Sequence, residues 1–444
     1  MLIYDTRTGR KQELRPREPG RVGIYVCGPT VYSRIHIGNA RPFVVFSLLK
    51  RHLEARGLSV RLVCNITDVN DKIYAAAAGG GSAELASRMR KHYVSDTDAI
   101  GLGRPDGEPL ASQSIDSILA HIEALIDRGH AYAAAGDVYF RVRSDPRYGE
   151  LSRRDVEDMD QGEGVEGAAL KEDPLDFALW KGQKAGEDTS WESPWGRGRP
   201  GWHIECSAMA EDALGVGFEI HGGGLDLLFP HHENEAAQTR CARGSELAQL
   251  WMHNGMLRTP EGEKMAKSQG NIAPLYEVLD SHGRDTVVMY FCAAHYRGPI
   301  AFGVGPLEQA AASVARIRDA ARRLVHGASP TDMASLRGRF FAALDDDFNT
   351  PAALAAMWDW IREANRRAEP VGDEDLGAML DVLGLANLLA RDERPPATVL
   401  ELAEERSRAR AARDWERSDR LRGEIAALGW SVRDAGTGFE LVRT

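Results

Sequence analysis

Four side chains in the short run FPHHENEAAQ, residues 229–238, could share one positive centre: His231, His232, Glu233 and Glu235, with no Lys or Arg among them. If the run begins a helix, His231 and Glu235 stand four residues apart and project from one face, about one turn from each other. A neutral imidazole and a carboxylate in that relation make two ligands for a divalent metal. Two more are needed. Cys27, closing an apolar run, and Cys206, within WHIECSAM, are candidates, because thiolate sulfur favours zinc over magnesium or calcium. The alternative is a solvated helix start whose acids suit the positive end of the helix dipole, with both cysteines merely buried.

Two other segments have the composition of an anion site. RIHIGNAR places His36, Gly38 and Asn39 where a loop enters a long helix. Unpaired N–H groups and the dipole attract phosphate there, Gly38 permits close approach, and the His and Asn side chains can donate. GEKMAKSQGN, residues 262–271, carries Lys264 and Lys267 in a Gly-flanked loop. Two ammonium groups three residues apart can neutralise charge developing on a leaving pyrophosphate. Taken singly, a structural loop histidine and an exposed basic turn are the better accounts of the two segments.

The elements that would position these groups follow from periodicity. RVGIYVCGPT reads as a strand entering a loop, and RPFVVFSLLKRHLEARG as a helix with Phe43, Phe46, Leu49 and Leu53 on one face. SVRLVCNITD reads as a second strand, which completes a βαβ unit of an open sheet. Ligands of such sheets bind beyond the carboxyl ends of the strands, where Cys27 and Thr67 should lie. GDVYFRVRSDPRYGELS suggests a hairpin, and residues 155–199 an insertion ending in a mobile Gly- and Pro-rich loop. WHIECSAMAEDALG is expected to be a helix, VGFEIHGGGLDLLF a strand running into a turn, and HHENEAAQTRCARG a helix closed by Gly244. Beyond residue 305 the Ala-, Arg- and Leu-rich pattern is that of a helix bundle, and RDERPPATV has the composition of a linker. After it, Arg406, Arg410, Arg413, Arg417 and Arg420 recur in steps of four and three. One helix would present them as a stripe able to track RNA phosphates, with Trp415 or Trp430 free to stack on bases; interleaved acids make a salt-bridged face the alternative.

A chain of 444 residues with 43% hydrophobic and 27% charged residues suits a soluble protein of several domains. Its net charge, 55 basic against 66 acidic residues, is −11, so a polyanionic partner must be met by local basic patches. The absence of a signal-like N-terminus, of any apolar run long enough for a membrane span, and of an even cysteine count (there are five) leads to the expectation of a cytoplasmic chain.

HIGN after the first strand and KMAKS far downstream resemble the paired signatures of class I aminoacyl-tRNA synthetases. Within that class CGPTVY, NITDVNDKI, GWHIECSAM, HGGGLDLLFPHHENE and DDDFNTPAAL, in order and across most of the chain, are similar to cysteinyl-tRNA synthetases. The resemblance implies an α/β fold: a class I Rossmann-type parallel-sheet catalytic domain in two halves (1–120 and 201–258) around a connective insertion (121–200). A signature-loop and stem-contact region (259–305), an all-α helix bundle (306–390) and a small C-terminal anticodon-binding domain (391–444) would follow.

It also implies a zinc ion on Cys27, Cys206, His231 and Glu235, with substrate cysteine near Gly28, Thr30, Thr67 and Trp202. ATP, bound as its Mg²⁺ complex, would meet His36, Gly38, Asn39, Asp226, Lys264 and Lys267, and His36, Asn39 and the two lysines would carry catalysis. The expected partners are L-cysteine, ATP and tRNA-Cys, without a membrane, for a monomeric enzyme. Departures are Asn39 for a signature histidine, Ala266 for a signature serine, Asn70 where the family has Asp, and Phe439 for a closing Trp. Two rivals stand beside this expectation: a ligase that joins cysteine to glucosaminyl-inositol in mycothiol synthesis, and a non-catalytic RNA-binding paralogue.

Overall fold

The computed structural model describes all residues except 79, 160–167, 260, 261, 263–272, 391–394, 413, 436, 437 and 444, and gives only the backbone of 433–435, 438, 440, 442 and 443. The chain divides into two compact units, Met1–Ala386 and Asn387–Thr444.

The centre of the first unit is a four-stranded parallel sheet in the order Ala248–Asn254, Phe218–Gly224, Arg21–Val26, Ser59–Cys64. The chain leaves Arg21–Val26 to one side for Ser59–Cys64 and returns to the other for Phe218–Gly224, so the order reverses at the first strand. A ligand crevice opens at the carboxyl end of such a reversal. Helix Ile37–Ala55 crosses between the first two strands and buries Phe43, Phe46, Leu49 and Leu53, the face expected from spacing. It lies so close to the sheet that a Cβ on Gly222 would meet the Phe46 ring at 2.0 Å. Only glycine fits there.

The insertion is an antiparallel sheet of Ala131–Ala134, Asp137–Phe140, Phe177–Gly182 and Gly198–Pro200. Its last strand corrects the expectation of a loop: Lys181 pairs with Arg199, and Trp191 and Gly198 exchange backbone hydrogen bonds of 2.7 and 3.0 Å. Pro200 is tolerated at that sheet edge because its missing N–H would point outward, past the bridge to Trp191, where no ladder donor is needed. Phe140, Phe177 and Trp180 of this sheet share a buried cluster with Ile118, Ile122, Ile204 and Ala237, which ties the insertion to the helices of the catalytic half.

Helices Val304–Ala321, Ala334–Asp345, Thr350–Arg366 and Glu374–Val382 form the expected bundle around Phe340, Leu344, Met357, Trp360 and Leu376. Three successive aspartates fasten it. Asp345 meets His52 and Arg56 at 3.0 and 2.9 Å, and Asp346 meets Lys11 at 2.6 Å. Asp347 is buried, with φ of +63°, and accepts from Tyr4 N–H, the Tyr296 hydroxyl and Arg297 at 2.8, 2.7 and 2.6 Å.

The second unit packs helices Ala397–Ala411 and Trp415–Ala427 against the hairpin Trp430–Ala435 and Gly438–Arg443 around Val399, Ala403, Ile425 and Trp430. The arginine stripe is not continuous. The chain turns between the two helices, Arg406 is buried, and Arg417 pairs with Glu405, while Arg413 lies outside the described residues. Trp430 is a core residue and not a stacking surface; Trp415 is 56% exposed beside Arg410.

Candidate active site and metal centre

The expected start of a helix at His231 is instead a π-turn, Leu228–His232, containing the cis Phe229–Pro230 bond; the helix proper is Glu233–Arg243. The turn still brings His231 Nε2 to 3.1 Å from Glu235 Oε1. Cys27, directly after the first strand, places Sγ 3.3 Å from the same oxygen. Donor atoms of Cys27, Cys206, His231 and Glu235 all lie within 4.8 Å of one another. All four residues are buried, so the alternative of a solvated helix start fails.

Burial also sets their charge. It pushes the Cys27 thiol well above its ordinary range. A hydrogen bond with Cys27 favours the Cys206 thiolate, but burial together with the charges of Glu235 and Glu205 outweighs it and leaves that group pushed up to about 11. Burial lowers His231 to about 3, so its ring is neutral and keeps a lone pair for a ligand. Two sulfurs, an imidazole and a carboxylate at these separations fit a tetrahedral zinc site.

Sequence reasoning missed most of what surrounds this set. His203 Nδ1 and His231 Nδ1 are 3.0 Å apart, so His231 donates from Nδ1 when its Nε2 serves as a ligand. His221 Nε2 donates to Glu235 Oε2 at 2.8 Å and leaves Oε1 for the centre. His232 and His253 continue inward, joined at 2.8 Å, and His253 reaches the Thr6 hydroxyl at 2.8 Å. Trp202 stacks on His231 at 4.2 Å and Trp251 on His221 at 4.4 Å. These rings come from four separated segments that no spacing in the sequence links.

A cavity of about 360 Å³ opens beside the cluster. Cys27 and Gly28 stand at one end, and His36, Gly38, Asn39, Asp226 and Asn254 line the rest. His36 caps helix Ile37–Ala55: its Nδ1 accepts from Gly38 N–H at 3.1 Å, which leaves the proton of a neutral ring on Nε2, able to donate. Asn39 Oδ1 accepts from His36 N–H at 3.2 Å and leaves its NH₂ group as the donor. Ile37 N–H donates to Ala273 O and Leu275 N–H to Ile35 O, both at 3.1 Å, so the chain following the second signature is bound to the first. Lys264, Ala266 and Lys267 lie outside the described residues. Thr30 and Thr67 face each other across a bridge between the loops after the first two strands. Asn70 caps helix Asp71–Ala77 by accepting from Lys72 N–H at 3.0 Å, a task asparagine performs as well as aspartate.

Residues 13–312 match the family model for the class I (C) tRNA synthetase catalytic domain, 339–390 the DALR domain, and 393–440 the cysteinyl-tRNA ligase anticodon binding domain. A cysteine–tRNA ligase of Caldicellulosiruptor saccharolyticus is 41% identical over 100% of both chains. The chain belongs to the cysteinyl-tRNA ligase family. Another member, the cysteine–tRNA ligase of Alkalilimnicola ehrlichii, is 45% identical over 98% of each chain. The fold is shared more widely within class I. Methionyl-tRNA synthetase of Mycobacterium tuberculosis, solved with methionyl-adenylate, superposes with a TM-score of 0.61 at 14% identity, over 83% of this chain and 89% of that one. The chain is therefore a class I aminoacyl-tRNA ligase. Among the described residues no helix is long and apolar enough to cross a membrane.

Proposed function

We propose that this enzyme joins L-cysteine to ATP as cysteinyl-adenylate and then transfers the cysteinyl group to the 3′-terminal ribose of tRNA-Cys. One observation carries the proposal: Cys27, whose sulfur is grouped with the Cys206, His231 and Glu235 donors, also lines a cavity whose other walls include His36, Gly38, Asn39 and Asp226. Bound to those donors, a zinc ion would take the substrate thiolate as a ligand and pass over serine, whose hydroxyl is a harder and far less acidic donor.

The chain's own groups then do the rest. Trp202 holds the His231 ring in plane, and Gly28, Thr30 and Thr67 border the amino acid. His36 Nε2–H and the Asn39 amide donate to the phosphates of ATP·Mg²⁺ at the helix terminus, and Asp226 accepts from the ribose. Lys264 and Lys267 are assigned to the departing pyrophosphate. The substrate carboxylate attacks the α-phosphorus in line. That step needs little proton transfer, so positioning and charge stabilisation supply most of the catalysis.

The domain limits given under Sequence analysis, a monomeric state and a cytoplasmic location belong to the same proposal. The five cysteines, all buried and none in a disulfide, accord with a reducing compartment. The deciding experiment supplies ATP and cysteine with either tRNA-Cys or glucosaminyl-inositol. Cysteinyl-tRNA is the product expected; transfer to the amino sugar alone overturns the proposal.

A further inference from the structure

Asn65 follows the second strand directly, is fully buried, and belongs to none of the ligand groups above. Its amide faces two ways. Oδ1 accepts from Gly28 N–H at 2.9 Å, and Nδ2 donates to Thr67 Oγ1 at 3.4 Å. The backbone closes the same gap, with Thr67 N–H donating to Pro29 O and Val31 N–H to Thr67 O, each at 3.1 Å. At Gly28 the approach is as close as a chain permits, since a Cβ there would lie 1.7 Å from the Asn65 carbonyl oxygen. The base of this arrangement is fixed. Ile66 N–H donates to Pro109 O at 2.9 Å, and Asp68 accepts from the Ser112 N–H and O–H at 2.9 and 2.6 Å.

The amino-acid substrate has three polar ends. Its sulfur is directed to the Cys27 cluster, and its carboxylate must face the phosphates at His36 and Asn39. The ammonium group, on the same carbon as the carboxylate, is left for the third side. The seam between Gly28 and Thr67 begins one residue from Cys27 and offers carbonyl and hydroxyl oxygens as acceptors. A threonine hydroxyl has two lone pairs, and Asn65 takes one of them. The oxygen therefore keeps a lone pair for a cation, in a place that Asn65 determines.

We propose that Asn65 is a positioning residue for the amino acid: by clamping Gly28 to Thr67 it sets the seam that receives the ammonium group of cysteine. The inference rests on the cysteine-activating function proposed above. The test is cysteine-dependent ATP–pyrophosphate exchange with zinc-loaded Asn65→Ala, Asn65→Ser and Asn65→Asp, and with 3-mercaptopropionate, which lacks the ammonium, as competitor.

Loss of the clamp should raise the KM for cysteine about tenfold in the Ala and Ser variants, the scale of one or two hydrogen bonds. The KM for ATP, the zinc content and the inhibition constant of 3-mercaptopropionate should stay within about threefold. Asn65→Asp should recover most of the loss, because a carboxylate still accepts from Gly28 N–H and can accept from the Thr67 hydroxyl. Should Ala prove unstable, Ser serves the same comparison. An unchanged KM for cysteine, a parallel rise in the KM for ATP, or equal weakening of 3-mercaptopropionate overturns the inference. Absence of exchange in the wild-type protein would instead overturn the proposed function.

Discussion

The histidines behind the metal cluster make the ligand-free protein sensitive to mild acid. Burial lowers His203, His231 and His253 each to about 3, against about 6.5 for a histidine in the unfolded chain. Between those values the unfolded state binds a proton that the folded state refuses, so stability falls as pH drops below 6.5 and the loss continues toward 3. From pH 7.5 to 5.5 each ring costs about 1.4 kcal/mol, and the three together about 4 kcal/mol. That is a large part of the 5–15 kcal/mol typical of folded domains. The assay is urea unfolding of the metal-free protein at both pH values, followed by circular dichroism and by tryptophan fluorescence, since Trp202 and Trp251 stack on the cluster. Replacing His253 by Gln should remove its own share of that loss, about 1.4 kcal/mol. A loss below about 1 kcal/mol over the interval, or a slope that His253→Gln leaves intact, would refute the assignment of neutral buried rings.

Further perturbations have equally direct outcomes. Cys27→Ala or His231→Ala should lose stoichiometric zinc, read by elemental analysis, together with at least about 100-fold of cysteine-dependent exchange. Zinc uptake should strengthen as pH rises from 6 to 8, because the thiols of Cys27 and Cys206 must both release protons; a pH-independent dissociation constant contradicts this. Gly28→Ala must move the Asn65 carbonyl by more than 1 Å, and kcat/KM for cysteine should fall on the order of 100-fold. Asp347→Ala strands the Tyr296 hydroxyl and Arg297, and should destabilise the first unit by about 3 kcal/mol in urea titrations.

Local pattern disclosed the strands that lead to Cys27 and Thr67, ending at Val26 and Cys64, the helix that begins after His36, and the bundle beyond residue 305, because each buries a periodic apolar face. Long-range pairing was less visible. The Gly198–Pro200 strand has no hydrophobic alternation and exists only because Phe177–Gly182 offers it an edge. The arginine register after residue 400 looked continuous, yet the turn between the two helices breaks it, and Arg406 faces inward. At the site, spacing revealed His231 with Glu235 and nothing else. Cys27 and Cys206 entered as candidates by chemistry and by resemblance; His203 and His221 stood out only as a possible base or as structural residues, and the way the histidines join, like Asn65, is not legible because hydrogen bonds between distant segments leave no period in a sequence.

The aspartate clasp bears on how the molecule can be divided. Lys11, His52, Arg56 and Arg297 belong to the catalytic half, yet their counter-charges Asp345, Asp346 and Asp347 arrive from a turn more than thirty residues beyond the end of the catalytic match at residue 312. A fragment cut at the apparent boundary would strip Lys11, Arg56 and Arg297 of these carboxylates, leave the neutral His52 ring without its acceptor, and remove Phe348, itself buried in the intact chain. The smallest independent catalytic body is therefore longer than the catalytic motif, and its border runs through the first half of the bundle.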